Sequence, residues 1–187
     1  MIYAWLWVVD ASDVIIFSVK PQVAKNVVLQ LRPLLSKKKL LVSIAAGIKL
    51  KDLEEWAGHG QFIRVMPNIP SAAGMAASVM SLGGSATEQD GELVGKLFGS
   101  VGKIWKADEK LFQSLPRELA LGLASETVLG AASMAVQSGK HPGLLKDDVT
   151  SPGGTTIVGI HELEKNGFRG TFMNAVVAAA KRSQELS

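Results

Sequence analysis

Three short apolar runs rich in β-branched residues, separated by segments with helical spacing, do most to limit the folds open to this chain. They are Asp13-Val14-Ile15-Ile16-Phe17-Ser18-Val19, Leu40-Leu41-Val42-Ser43-Ile44 and Phe62-Ile63-Arg64-Val65-Met66. Each run is continuous rather than alternating, as in a strand covered on both faces. Behind the first, Pro21 suits a first helical turn, and Val23, Val27, Leu31, Leu34 and Leu35 recur at helical spacing. Behind the second, Leu50 to Ala57 predicts a short helix. Strand-helix-strand-helix-strand predicts a parallel sheet with right-handed crossovers. A looser strand over 76–82 follows, then a helix opened by capping-box spacing at Ser85-Ala86-Thr87-Glu88, then a last short strand over 102–106.

From Glu109 onward the β signal stops and the chain reads as helix. The stretch Pro116 to Ser138 is crowded with small residues (Ala120, Gly122, Ala124, Ser125, Gly130, Ala131), which let helices approach closely. It fits a helical bundle core and a dimer surface equally well. The last stretch sets Phe172, Val176, Ala179 and Ala180 on one stripe. The expected fold is thus α/β over residues 1–107, followed by an all-α domain over residues 108–187.

Composition removes several classes of function. With 47% hydrophobic and 20% charged residues the chain has the material for a core, so whole-chain disorder is excluded. A net charge of +3 is too slight to argue for nucleic acid, and the run Lys37-Lys38-Lys39 between apolar stretches reads as a solvated loop. There are no cysteines, which rules out disulfides, thiolate metal sites and cysteine nucleophiles and is compatible with a reducing compartment; a cytoplasmic setting is expected. Met1 to Val9 is apolar but far short of the ~20 residues that cross a bilayer. It lacks a basic lead-in, Asp10 and Asp13 follow, and no secretory signal or membrane segment is expected here or elsewhere. His59, His141 and His161 are scattered without metal-ligand spacing and read as surface or capping residues, so no metal site is expected.

Open parallel sheets bind ligands beyond the carboxyl ends of their strands. Those ends here are Ser18-Val19-Lys20-Pro21, Ser43-Ile44-Ala45-Ala46-Gly47 and Val65-Met66-Pro67-Asn68-Ile69-Pro70, small or proline-stiffened segments able to line a flat ring. The glycine-rich dinucleotide fingerprint is absent: Gly58-His59-Gly60 is the nearest fragment, but Ile63 stands at the third glycine and a strand follows. The second feature is Lys146-Asp147-Asp148-Val149-Thr150-Ser151-Pro152-Gly153-Gly154-Thr155-Thr156, which opens the helical pattern Ile157, Ile160, Leu163. Two glycines and two threonines at a helix start present unobstructed N–H groups and hydroxyls before the positive helix end, a site for a carboxylate or phosphate.

Taken together, Phe17-Ser18-Val19-Lys20-Pro21-Gln22, Ser43-Ile44-Ala45-Ala46-Gly47, Arg64-Val65-Met66-Pro67-Asn68 and above all Lys146 to Thr156 resemble pyrroline-5-carboxylate reductase, especially its plant forms. The resemblance runs from about Asp10 to Ser187. It implies a partial Rossmann-like dinucleotide-binding domain and a helical domain that interlocks into homo-oligomers. It also implies reduction of 1-pyrroline-5-carboxylate to L-proline with NADPH or NADH. By the same resemblance, Ser151, Gly153, Gly154, Thr155 and Thr156 hold the substrate carboxylate, and Val19, Lys20, Pro21, Ala45, Ala46 and Asn68 lie along the cofactor. Two departures from the family are expected. Met1 to Val9 stands in place of the first βαβ half. Leu111-Phe112-Gln113-Ser114-Leu115-Pro116-Arg117 joins two places that are separate in the family, skipping a Gly-Ser-Gly-Pro-Ala-Tyr segment and a long helix. That segment carries a hydroxyl considered for proton donation, so no catalytic residue is assigned here. Weak turnover by the chain alone follows, and the alternative role is a non-catalytic isoform that pairs with full-length subunits.

Overall fold

A computed structural model describes residues 3–68, 71, 74–113 and 115–186, with nothing taken from the side chains of residues 3–6, 112 and 113. Strands form where the apolar runs predict them: β1 (Val14–Phe17), β2 (Leu40–Ser43), β3 (Phe62–Met66), β4 (Ala76–Leu82) and β5 (Gly102–Lys106). They lie in one sheet in chain order. β1, β2 and β3 run parallel, with Phe17 beside Ser43 and Ser43 beside Arg64. β4 runs antiparallel to β3, pairing Met66 with Val79, and β5 is parallel to β4. The first three strands are parallel as their order predicts, and the reversal at β4 adds to that expectation. Its cause is the short link over residues 67–75, since a parallel return needs a crossover of about a dozen residues or more.

The crossovers are α2 (Pro21–Leu31) between β1 and β2, α3 (Leu50–Ala57) between β2 and β3, and α4 (Glu88–Gly99) between β4 and β5. Two apolar cores result. Phe17, Leu41 and Phe62 pack with Val28 of α2 and Leu53 of α3, and the Phe17 and Phe62 rings stand 5.8 Å apart. On the other face Val42, Ile63, Val65 and Met80 pack against Val94 of α4. The capping box of α4 lies two residues later than the sequence suggests. Thr87 is the N-cap and Asp90 its reciprocal partner, because Thr87 Oγ1 accepts from the Asp90 N–H while the Asp90 carboxylate accepts from the Thr87 N–H.

The opening segment forms α1 (Tyr3–Asp10), whose Val9 is buried in the first core. Lys39 explains how this short helix ends. Its ammonium donates to the carbonyls of Val9 at 2.7 Å, Asp10 at 2.8 Å and Ser12 at 2.9 Å. The last carbonyls of a helix lack intrahelical partners, and a cation there also meets the negative end of the helix dipole. Lys39 is thus a structural cap and not part of a solvated loop. Removing its donors takes a charged partner from three carbonyls, two of them partly buried, so Lys39→Met is expected to cost about 2 kcal/mol in urea unfolding. An unchanged unfolding midpoint would refute this role.

The helical region begins with a 3-10 turn over Glu109–Gln113 and continues as α5 (Arg117–Gln137), α6 (Pro142–Asp148), α7 (Thr155–Lys165) and α8 (Phe168–Glu185). Two compact units result, residues 1–137 and 138–187. The change from strands to helices comes at residue 107, but α5 stays with the first unit because it packs on β4, with Gly122 against the Trp105 ring. α5 is also the one described helix long and apolar enough to cross a membrane, with a mean hydropathy of 1.5, where no such segment was expected. In the second unit no described residue is buried. A helix apolar on every side, and a unit without a core of its own, both call for a further surface to cover them.

Candidate functional site

The parallel register places the carboxyl ends of β1, β2 and β3 at one edge of the sheet. Val19 and Pro21 are half-buried there and Lys20 is exposed. Pro21 occupies the first turn of α2, and the Lys20 side chain makes no cap to it. At the end of β2, Ala45 is buried and its N–H donates to Ser43 Oγ at 3.3 Å, while Ala46 is exposed and Gly47 turns the chain at φ +77°. Beyond β3, Asn68 is half-buried with its amide engaged at both ends. Oδ1 accepts from the Ala77 N–H at 2.8 Å and Nδ2 donates to Thr127 Oγ1 of α5 at 2.9 Å. The Thr127 hydroxyl in turn donates to the Leu123 carbonyl at 2.7 Å. Ile69 and Pro70, which complete the third segment, lie outside the described residues. These six residues therefore share one edge, with Asn68 acting as a brace of its own loop.

Sequence reasoning passed over Arg64 and Glu109. Arg64 sits in the middle of an apolar strand at 6% exposure, and Glu109 reaches it from the 3-10 turn, Nη1 to Oε1 at 2.6 Å. The same Glu109 Oε1 accepts from the N–H of Leu50 at 2.9 Å, the first residue of α3. The signal was available, because an arginine inside a buried strand must have a partner.

The Ser151 to Thr156 turn lies in the second unit. Gly154 is the N-cap of α7 in extended conformation, Gly153 precedes it at φ +68°, and no side chain caps the helix. The Gly154 N–H donates to the Ser151 carbonyl at 3.1 Å, which closes the turn. A Cβ at Gly154 would come within 2.5 Å of Ser151 Oγ and 3.3 Å of the Ser151 carbonyl, so a larger residue there makes the hydroxyl swing away and shifts the turn. Ser151, Gly153 and Thr155 are exposed, and Gly154 and Thr156 half-exposed. The first N–H groups of α7 and two threonine hydroxyls are left to face a ligand, the arrangement that suits an anion.

The histidines have local roles. His141 caps α6, its Nδ1 accepting from the Gly143 N–H at 3.1 Å, and His161 is exposed on α7. His59 lies between α3 and the end of the 3-10 turn Arg32–Leu34. Burial holds its pKa below the ordinary histidine value, with Lys37 adding to the effect and the Leu35 backbone opposing it. Among the described residues no group of acidic and histidine side chains could hold a metal.

The side chains around Ala45 at this edge are small and uncharged, which leaves room for a flat ring to approach. No glycine-rich turn for a pyrophosphate accompanies it in the sequence. Comparison with known proteins identifies the family. The model for the pyrroline-5-carboxylate reductase dimerisation region matches residues 105–186, and that for the coenzyme F420-dependent NADP oxidoreductase matches residues 7–47. Pyrroline-5-carboxylate reductase of Pisum sativum is 67% identical, over 96% of this chain and 76% of its own length. That of Arabidopsis thaliana is 62% identical, over 96% and 75%. The Plasmodium falciparum pyrroline carboxylate reductase, solved with NADP bound, superposes with a TM-score of 0.54 at 31% identity, covering 94% of this chain and 77% of that one. The pea alignment runs over 207 residues, more than the 187 of this chain, so the relative carries at least twenty residues inside the matched span that are absent here. On identity and coverage alike, the chain belongs to the pyrroline-5-carboxylate reductase family.

Proposed function

We propose that this chain serves the reduction of 1-pyrroline-5-carboxylate to L-proline, the last step of proline synthesis, as a subunit of a homo-oligomer. The observation that carries the reading is the uncapped, glycine-opened start of α7, suited to a carboxylate, the anionic group that substrate and product share. A protonated cyclic imine is already a good hydride acceptor, and NADPH or NADH supplies the hydride. The protein is left with positioning and charge complementarity. Ser151, Gly153, Gly154, Thr155 and Thr156 anchor the carboxylate. Val19, Lys20, Pro21, Ala45 and Ala46, with the loop that Asn68 braces, form the wall for the nicotinamide ring. A cytoplasmic setting belongs to the same reading, consistent with a fold that needs no disulfide.

A second reading has its own observation. The 3-10 turn over Glu109–Gln113 leads within a few residues to α5, with Ser114 outside the described residues, where the family's extra segment would enter. A chain lacking that segment can still pair through its helices and modulate a full-length subunit.

Thermal shift separates these readings. Both L-proline and NADPH are expected to raise the melting temperature, and a response to neither overturns the first reading. Turnover is a distinct matter: general acid groups contribute roughly 10²–10⁴-fold. NADPH oxidation by the chain alone is therefore expected to run at least ~10²-fold below a full-length relative. Equal turnover would show that the missing segment is dispensable. Absence of mixed oligomers by native mass spectrometry after co-expression would dispose of the second reading.

A further inference from the structure

We infer that the buried Arg64–Glu109 ion pair is a strut that positions two of the strand-end loops against each other, and hence the wall offered to the nicotinamide ring. The inference rests on the functional reading above only in naming what the wall receives. Glu109 Oε1 takes two donors at once, Arg64 Nη1 at 2.6 Å and the Leu50 N–H at 2.9 Å. Leu50 begins α3 directly after the loop that holds Ala45, Ala46 and Gly47. Arg64 lies on β3 just before Met66, Pro67 and Asn68, and its Nη2 also reaches Met66 Sδ at 3.4 Å. One carboxylate oxygen thus ties the β2 loop to the β3 loop. It does so from the turn that leads into α5, whose Thr127 holds Asn68 from the other side.

Burial argues that this is more than stability. The Arg64 side chain is 7% exposed and that of Glu109 22%. Desolvating such a pair offsets most of its attraction, so apolar residues of similar volume usually stabilise a fold equally well. What apolar residues cannot supply is a directed acceptor for the Leu50 N–H together with a fixed distance to β3. The α3 N-terminus has no cap from its own N-cap residue, Lys49, and Glu109 supplies a side-chain acceptor there. Neither Arg64 nor Glu109 is expected to touch cofactor or substrate; both are positioning residues.

The test compares Glu109→Gln, Arg64→Met and the double variant Arg64→Met/Glu109→Leu in the full chain. Three readouts are used: melting temperature, amide hydrogen exchange over residues 44–50 and 66–68, and affinity for NADPH and for L-proline. The double variant is expected to melt close to the unaltered protein, yet to exchange faster in both loops. It should bind NADPH on the order of tenfold more weakly, the size of effect expected from residues acting through others. L-proline, bound in the second unit, serves as the internal control and should be unaffected. Glu109→Gln, which keeps an acceptor for Leu50, should be the mildest of the three. A double variant with normal exchange in both loops overturns the strut, whatever its affinity for NADPH. Failure of the unaltered chain to bind NADPH strikes at the functional reading instead, and the exchange result still decides the strut.

Discussion

Replacing Gly154 by valine is expected to lower affinity for L-proline by about two orders of magnitude while leaving the first unit folded. Gly154 is the N-cap of α7, and a Cβ built on it falls 2.5 Å from Ser151 Oγ and 3.3 Å from the Ser151 carbonyl. The hydroxyl can swing away, but the carbonyl must give by a few tenths of an ångström, and Ser151 is held by the hydrogen bond from the Gly154 N–H itself. Pushing that carbonyl away distorts the turn, and the N–H groups of α7 lose their common focus. A hydrogen bond to a charged group is worth about 1.5–3 kcal/mol, so losing two of them amounts to roughly a hundredfold in affinity. Gly153→Ala gives a graded comparison. A Cβ there meets nothing within 4 Å, so the cost is only that of holding a non-glycine residue at φ +68°, about 1–2 kcal/mol. Calorimetric titration with L-proline should rank unaltered chain, Gly153→Ala and Gly154→Val in falling order. Equal binding by all three would mean that this turn is not the carboxylate site.

That ranking was partly legible without coordinates. The string from Asp147 to Thr156 carries its chemistry in composition, since few segments need Pro-Gly-Gly-Thr-Thr at a helix start. The strands were legible for a similar reason: continuous β-branched runs bounded by proline and glycine leave little choice, and β3, β4 and β5 fall where the pattern puts them. What could not be read was pairing over distance. The reversal of β4 depends on the length of the link over residues 67–75. The cap on α1 depends on Lys39, twenty-nine residues from Asp10, whose sequence neighbours made it look like ordinary surface charge. The Arg64–Glu109 pair spans forty-five residues, and the lone arginine in a strand was its only trace. Asn68 shows the converse: its place at the edge was anticipated, while its commitment to Ala77 and Thr127 was not.

Assembly carries the largest expected effect of all. In the second unit α8 exposes Phe172 at 65%, Met173 at 62%, Val176 at 64% and Val177 at 64%, with the Phe168 and Phe172 rings 5.6 Å apart on the same stripe. α5 exposes Leu121, Val128, Leu129 and Val136. Fully burying a side chain of this kind is worth about 1.5–3 kcal/mol, so the four on α8, about two-thirds exposed and counted on both copies of a dimer, offer roughly 8–15 kcal/mol. Association costs on the order of 4–15 kcal/mol, which this surface can exceed. Residues 105–186 match a dimerisation region, which favours a second copy of the chain as the covering surface. Val176→Glu puts a carboxylate into that surface. In a two-fold dimer the change occurs twice, and each uncompensated buried charge costs about 3–5 kcal/mol. Dissociation should rise more than a thousandfold. Because no described residue of the second unit is buried within its own chain, separation should also unfold α6 to α8. Sedimentation is expected to show monomer at micromolar concentration, and far-ultraviolet circular dichroism a loss of helix confined to the Val176→Glu variant. A Val176→Glu chain that stays oligomeric with full helicity would place the interface elsewhere.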